Sequence, residues 1–267
     1  MSSSKLEIVG KFLNLPVFMG VTNSSKNKNN DKYSDATFRI DEDSGMLFIS
    51  ENIPNEILYQ SQTTQAPIGE LWKNHHEEFS SFIVENNDNC NILEVGAAHG
   101  YLATCTRNKR KSFNWTIVEP NPVEQKPKGI RYIDGYLTRE VLTSINPRTI
   151  IHSHVIEHID NVLDFMDLIS SFQKIGDNLI FSVPHLDKWF AKGFPNALNF
   201  EHRFLIDSDY VEELHENFGY KLKSFKDFKN DHSRFYHFEK KNLKREKLIF
   251  KTRNERKTLS HEKFKLF

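Results

Sequence analysis

Apolar residues recur along this chain in two rhythms. The first consists of short runs between polar or glycine clusters. Ala36-Thr-Phe-Arg-Ile40 and Met46-Leu-Phe-Ile49, separated by Asp41-Glu-Asp-Ser-Gly45, predict a β-hairpin. Ile92, Leu93 and Val95, then Trp115 to Glu119, Ile130 to Asp134, Thr149 to His154 and Asn178 to Val183 predict five strands, the last halted by Pro184. Lys221 to Phe228 and His232 to Glu239 alternate as a closing hairpin. The second rhythm is helical. Ile68, Leu71, Trp72, Phe79, Phe82 and Ile83 predict a helix leading into the strands. A helix opening at Glu157, His158 and Ile159 carries Val162, Leu163, Met166 and Ile169 on one face. Asp209 to Phe218 predicts a further helix, stopped by Gly219.

Three stretches keep neither rhythm. Phe12, Leu13, Leu15, Val17, Phe18 and Met19 form an apolar cluster expected to dock on the main body, and Asn23 to Asp35 predicts a mobile loop. Pro184 to Arg203 predicts an irregular connection carrying Trp189, Phe190, Phe194 and Phe200. The tail after Lys240 predicts a solvated terminal helix. The fold class expected is α/β, with a small N-terminal α+β cap over residues 1–85, a core over 86–240 and a basic tail over 241–267.

Charge adds one local feature. Lys plus Arg equals Asp plus Glu at 36 each in 267 residues, so no global field draws the chain to nucleic acid or to an anionic membrane. Residues 241–267 hold ten Lys and Arg against three Glu, which leaves the remainder seven charges negative. Two cysteines, Cys90 and Cys105, imply neither a disulfide scaffold nor a four-cysteine zinc site. No run reaches 18 apolar residues, and a cytoplasmic enzyme is expected.

The chemistry-bearing stretch is Asn91-Ile-Leu-Glu-Val-Gly-Ala-Ala-His-Gly-Tyr-Leu-Ala-Thr104. A strand, a turn eased by Gly96 and a helix opening at Tyr101 make a nucleotide site. A second strand, Trp115 to Glu119, ends in a carboxylate about 20 residues downstream, where such folds hold ribose hydroxyls. Ala98 stands where a dinucleotide fingerprint needs its second glycine, so a pyrophosphate, and with it an NAD oxidoreductase, is disfavoured. Glu94 can face an amine-bearing or cationic ligand, and Glu119 can accept from a diol. S-adenosylmethionine has both groups.

On these residues the chain resembles the class I S-adenosylmethionine-dependent methyltransferases, whose first motif matches Glu94-Val-Gly96-Ala-Ala-His-Gly100. The resemblance spans the core from about residue 86 to about 240 and implies a Rossmann-like seven-stranded sheet. It makes Glu94, Gly96, Ala97, Gly100, Tyr101, Glu119 and Pro120 candidate cofactor contacts, with Asp134 and Tyr136 beside the adenine. The N-terminal third is similar to the cap of sugar C-methyltransferases and of surface-polysaccharide methyltransferases. Leu15-Pro-Val-Phe18, Asp43-Ser-Gly-Met46, Ile57-Leu-Tyr59, Trp72 and His75-His76 carry that likeness, which makes Tyr59 a further cofactor contact. Every zinc cysteine of that cap is missing.

Methyl transfer to a hydroxyl needs alignment to about 3–3.5 Å and removal of a proton. His152-Ser-His154-Val-Ile-Glu157-His158 gathers three imidazoles and a carboxylate at the end of the fourth strand. The Glu157-His158 pair matches the Glu-His of the sugar methyltransferases, implying His158 as general base, Glu157 as its partner and His154 as pocket wall or cofactor contact. His202, His185 and Trp189 are substrate candidates, with His232 and Tyr59 in reserve. No metal is expected. The acceptor implied is an oxygen of an activated sugar or of a capsular-polysaccharide precursor, including a phosphoramidate type. The enzyme is expected to be a monomer or homodimer that binds no nucleic acid. The alternatives are an RNA or protein methyltransferase and a non-catalytic scaffold.

Overall fold

A computed structural model describes residues 6–17, 32–51, 53–58, 69–97, 99–194, 197 and 199–265. Along the chain come β1 (Leu6–Pro16), β2 (Tyr33–Asp41), β3 (Leu47–Ile49), α1 (Asn55–Leu58), α2 (Glu70–Asn86), β4 (Asn91–Val95), α3 (Tyr101–Lys109), β5 (Asn114–Glu119), β6 (Arg131–Asp134), α4 (Arg139–Ile145) and β7 (Thr149–Ser153). A 3₁₀ turn (Ile156–His158) leads to α5 (Val162–Phe172), β8 (Asn178–Pro184), α6 (Leu186–Ala191), α7 (Ser208–Asn217), β9 (Tyr220–Phe228), β10 (Ser233–Lys240) and α8 (Arg253–Phe264).

Contacts group these elements into two compact units, neither of which is a single run of chain. One is Thr64–Pro184 with Leu214–Leu248. The other is Met1–Thr63, His185–Glu213 and Ile249–Phe267.

The larger unit holds a seven-stranded sheet in the order β6-β5-β4-β7-β8-β10-β9. β4 to β8 run parallel and β10 is antiparallel to both neighbours. Parallel strands covered on both faces must be apolar throughout, and β8 is buried at all its positions. Ile92, Trp115, Ile117, Ile151, Ile180 and Phe235 pack against Phe79, Phe82 and Ile83 of α2 and Leu102 and Ala103 of α3. On the opposite face Phe181 stacks on His152 at 4.7 Å, on His215 at 4.7 Å and on Tyr236 at 5.3 Å. α2 belongs to this unit.

The smaller unit is built on the antiparallel sheet β1-β2-β3, which contains the expected hairpin. Leu205 N donates to Leu47 O and Ile49 N to Arg203 O, so a stretch from the middle of the chain extends this sheet. Its core joins Phe38, Ile40, Leu47 and Ile49 to Phe190, Ala197 and Phe200.

Three local expectations are corrected. Leu186–Ala191 is helical within the stretch expected to be irregular, because Leu186 and Phe190 share a buried face, with Phe190 in that core. The helix expected to open at Glu157 begins at Val162, where the Asn161 side chain accepts from Asp164 N and stops earlier residues from joining it. α8 is not simply solvated. Arg256, 5% exposed, donates to Asp207 Oδ2 at 3.0 Å and to Glu213 Oε2 at 3.1 Å, and Phe264 packs beside Phe12 and Phe38. Of the expected loop, residues 33–35 open β2; residues 23–31 lie outside the described residues, as do Phe18 and Met19.

Phe181, on β8, is fully buried among four rings, three from β7 and β10 and one from α7. Phe181→Ala should cost about 3–5 kcal/mol in urea unfolding, while Phe181→Leu should recover most of that. Equal midpoints for the two variants would contradict this packing.

Candidate active site

Strand alternation sets the first half of the site. In β4 the side chains of Ile92 and Glu94 share a face, as do Trp115, Ile117 and Glu119 in β5, and that face is the one α3 covers. The two carboxylates therefore end neighbouring strands on one side of the sheet. Glu94 is 2% exposed and accepts a hydrogen bond from Trp115 Nε1 at 2.8 Å. Burial pushes its pKa up to about 8, with Glu119 adding to the rise against the Trp115 hydrogen bond. Glu119 is 8% exposed, and its Oε1 accepts from Asn121 N at 2.9 Å.

The turn between β4 and α3 needs residues without a Cβ. Gly96 has φ 70° and Gly100 φ 66°, both left-handed. A Cβ on Gly96 would meet Val155 Cγ2 at 2.7 Å, and one on Gly100 would meet Tyr132 Oη at 2.2 Å. Gly96 N donates to Val118 O at 3.0 Å, fastening the turn to the end of β5. Ala97 and Tyr101 flank it half-buried, and Tyr101 Oη reaches Glu77 Oε1 of α2 at 3.4 Å. Pro120 is exposed just past β5. At the end of β6, Asp134 accepts from Lys126 Nζ at 2.8 Å, while Tyr136 is largely exposed. Tyr59 and Ala98 lie outside the described residues.

The second half of the site lies where β7, β8 and β10 meet α2. His154, just past β7, has φ 53°, a left-handed conformation that costs a non-glycine residue about 1–3 kcal/mol. Its ring lies 4.8 Å from that of Trp72 and 5.2 Å from that of His75, both on α2. Trp72 also meets the rings of His76 and His232. Thus α2 and the loop before β10 add His75, His76 and His232, the last held only in reserve from the sequence, to a cluster expected around β7 and the turn after it. The signal available in the sequence was Trp72-Lys-Asn-His75, one helical turn with both rings on one side.

Glu157 is fully buried in the 3₁₀ turn, and neither carboxylate oxygen has a hydrogen-bond partner. Its Oε1 lies 3.5 Å from His154 Nδ1 and 3.8 Å from His158 Nε2. Burial pushes its pKa up to about 8. Desolvation moves the imidazoles the other way: His75 falls to about 2, His152 to about 3, and His154 well below its ordinary value, with His75 and His232 adding to the last. His158 is half-buried beside Glu157.

The other substrate candidates belong to the smaller unit. His185 is 3% exposed at the start of α6, 3.4 Å from Lys188 Nζ through Nε2. Trp189 packs against that unit's apolar core, and His202 Nδ1 lies 3.1 Å from Asn199 Nδ2. A cavity of about 20 Å³, room for one water molecule, also lies in this unit between Leu47, Asp207 and Arg256. None of the candidate residues lines it. Among the described residues, no group of three or more His, Cys, Asp or Glu has the placement to hold a metal ion, and no helix is long and apolar enough to cross a membrane.

A seven-stranded sheet in this order, with a glycine turn after β4 and carboxylates ending β4 and β5, defines the class I methyltransferase fold. The sequence matches the family model described as a methyltransferase domain over residues 62–224, more than half of the chain, and the protein belongs to that family. Among solved structures, mitomycin 7-O-methyltransferase MmcR aligns with a TM-score of 0.50 at 13% identity, over 68% of this chain and 60% of that one. An S-adenosylmethionine-dependent methyltransferase from Mesorhizobium loti aligns at 0.47 and 9% identity, over 63% of this chain and all of that one. Human N-acetylserotonin methyltransferase, solved with S-adenosylmethionine, aligns at 0.48 and 14%, over 68% and 62%. A search of curated proteins by sequence finds no match. The protein is a methyltransferase. The residues at the glycine turn would suit S-adenosylmethionine: Glu119 can accept from a diol, and a cationic group beside the buried Glu94 would return its charge.

These burials fix a pH profile for the cofactor-free protein. Glu94 and Glu157 hold protons when folded up to about 8 but release them near an ordinary 4.5 when unfolded, so their contribution to stability falls as pH rises through that window. His75, His152 and His154 refuse protons that the unfolded chain takes up below 6.5, so their contribution falls as pH drops. Tm should peak at about pH 6 to 6.5 and decline towards pH 8, and Glu157→Gln should remove part of that decline. A Tm that rises from pH 6.5 to 8 would contradict the assignment.

Proposed function

We propose that this enzyme transfers the methyl group of S-adenosylmethionine to a hydroxyl oxygen of a small acceptor, an activated sugar or a phosphorylated precursor of capsular polysaccharide, in the cytoplasm. His158 takes the acceptor proton, and Glu157 is its partner. The observation that carries this reading is the fully buried Glu157 carboxylate, without a hydrogen-bond partner and flanked by His154 and His158 at the carboxyl end of β7. Ligands of open α/β sheets bind at that end of the strands.

S-adenosylmethionine supplies an already reactive methyl group, so the protein's task is alignment and proton removal. Glu94 and Glu119, on one face at the tips of β4 and β5, would hold the amine and the ribose diol, with Gly96 and Gly100 allowing close approach of the backbone. Asp134 and Tyr136 would border the base. An imidazole near neutrality accepts a proton from a hydroxyl that loses it only as the new bond forms. Once Glu157 has given up its own proton, the carboxylate beside that imidazole stabilises the imidazolium. The oxygen acceptor is favoured over a carbon or an amine because it makes use of this pair. The sugar or phosphorylated precursor follows from the likeness of the N-terminal third to the caps of polysaccharide methyltransferases.

Release of S-adenosylhomocysteine, screened over nucleotide sugars, phosphorylated sugar precursors and RNA, tests the acceptor class. Turnover with the first or second set is expected; turnover with RNA alone would overturn the reading. On the acceptor so found, His158→Ala should lower kcat by about 10²–10⁴-fold with cofactor affinity retained. Unchanged kcat would remove His158 as the base.

A further inference from the structure

Glu157 poses a problem of proton traffic. It is fully buried, its carboxyl group has no hydrogen-bond partner, and the imidazoles of His154 and His158 stand beside it. A carboxyl group sealed from water changes its protonation state only through such neighbours. His154 in turn meets Ser233 across the end of the sheet, Nε2 to Oγ at 2.9 Å. Ser233 is itself fully buried at the first position of β10. The same Oγ lies 2.6 Å from Nδ1 of His232, whose residue is half-buried in the turn before β10. One hydroxyl thus bridges two imidazoles, one facing the buried carboxyl and the other on a half-buried turn residue.

We propose that His154, Ser233 and His232 form a proton relay between the Glu157 carboxyl and solvent. The step balances without any other reactant. The Glu157 O–H bond breaks as a bond forms to His154 Nδ1. His154 gives up its Nε2 proton to Ser233 Oγ, and the Ser233 hydroxyl proton passes to His232 Nδ1. Glu157 ends as carboxylate, His154 and Ser233 remain neutral with their protons relocated, and His232 ends as imidazolium, which releases its Nε2 proton to water. The reverse sequence reloads the carboxyl. A hydroxyl that donates to one nitrogen while accepting from another suits this transfer, since Ser carries one proton and two lone pairs. The Glu157 to His154 separation, 3.5 Å, is longer than a formed hydrogen bond, as catalytic pairs commonly are before ligands bind.

The surroundings favour shuttling over resting charge on His154. Its ring faces Trp72, His75 and His232, with His76 and His158 also acting on it, and Glu157 is the acidic group against it. An imidazolium there would be desolvated among other imidazoles, so the middle of the chain passes protons rather than holding them. The neighbouring pair shows the contrast. His75 Nε2 lies 2.9 Å from Ser182 Oγ, but both residues are fully buried and His75 Nδ1 has no partner. That pair ends inside the protein, whereas the Ser233 pair ends on a half-buried residue.

The relay rests on the proposed function for its purpose, the clearing of the acceptor proton, but its test requires neither donor nor acceptor. In the cofactor-free full chain with ¹⁵N-labelled histidines, the exchange of the His154 imidazole N–H with water is measured at neutral pH, beside that of the His154 backbone N–H. The backbone group donates to Ser182 O and reports local opening. Ser233→Ala and His232→Gln should each slow the imidazole exchange by roughly 10²-fold while backbone exchange stays as in the wild type, the lower end of what a positioned proton carrier contributes. His232→Gln, at a half-buried turn position, keeps the test open should Ser233→Ala disturb β10. Imidazole exchange unchanged in a folded variant of either kind would overturn the relay and leave the assignment of His158 standing. A failed acceptor screen would overturn the proposed reaction without touching this result.

Discussion

The molecule depends on a reversal that only residues lacking a Cβ can make. After Val95 the chain turns through Gly96 and Gly100, both left-handed, and each turns its bare Cα towards a neighbour that a side chain would strike. The turn is tied to β5 by the hydrogen bond from Gly96 N to Val118 O. From this follow the direction of α3, its packing with α2, and the alignment of the carboxylates that end β4 and β5. A wider turn would lift the backbone away from those carboxylates and leave two acidic side chains buried with nothing to face.

The same economy governs the other end of the sheet. The edges where β7, β8 and β10 meet α2 hold a fully buried glutamate and an array of imidazoles, in surroundings that keep both kinds of group uncharged. Burying titratable groups in this way costs stability at any pH where they must stay neutral against their ordinary preference. Such groups are concentrated at sites that handle protons. The left-handed backbone at His154 belongs to the same pattern: a strained residue is kept because it turns the imidazole towards Trp72 and Ser233 instead of along the strand.

Much of this was legible in the sequence, because apolar period and glycine position are local properties. The strands from Ile92 to Val183, the closing hairpin and the cap at Gly219 follow from residues within one element. What was not legible concerns partners. The periodicity of α2 identifies a buried face but not that Trp72 and His75 would meet His154 and His232, which are far away in sequence. The aromatic stretch after Pro184 carries too few residues for a helical rhythm to stand out, yet Leu186 and Phe190 share the buried face of a short helix, with Phe190 in an apolar core. The basic tail looked solvated because ten cations dominate it, but one of them, Arg256, is the buried partner of Asp207 and Glu213. The left-handed conformation of His154 has no sequence signature, since a histidine there is tolerated rather than required.

The central claim is that the glycine turn and the carboxylates of β4 and β5 form the site of a nucleoside bearing a diol and a cation. Titration calorimetry of the full chain with S-adenosylmethionine, beside NAD and ATP and repeated on Glu119→Ala, tests it most directly. The account predicts saturable one-site binding of S-adenosylmethionine alone, weakened by the loss of Glu119. Heat from NAD or ATP in place of S-adenosylmethionine, or an affinity indifferent to Glu119, would contradict it.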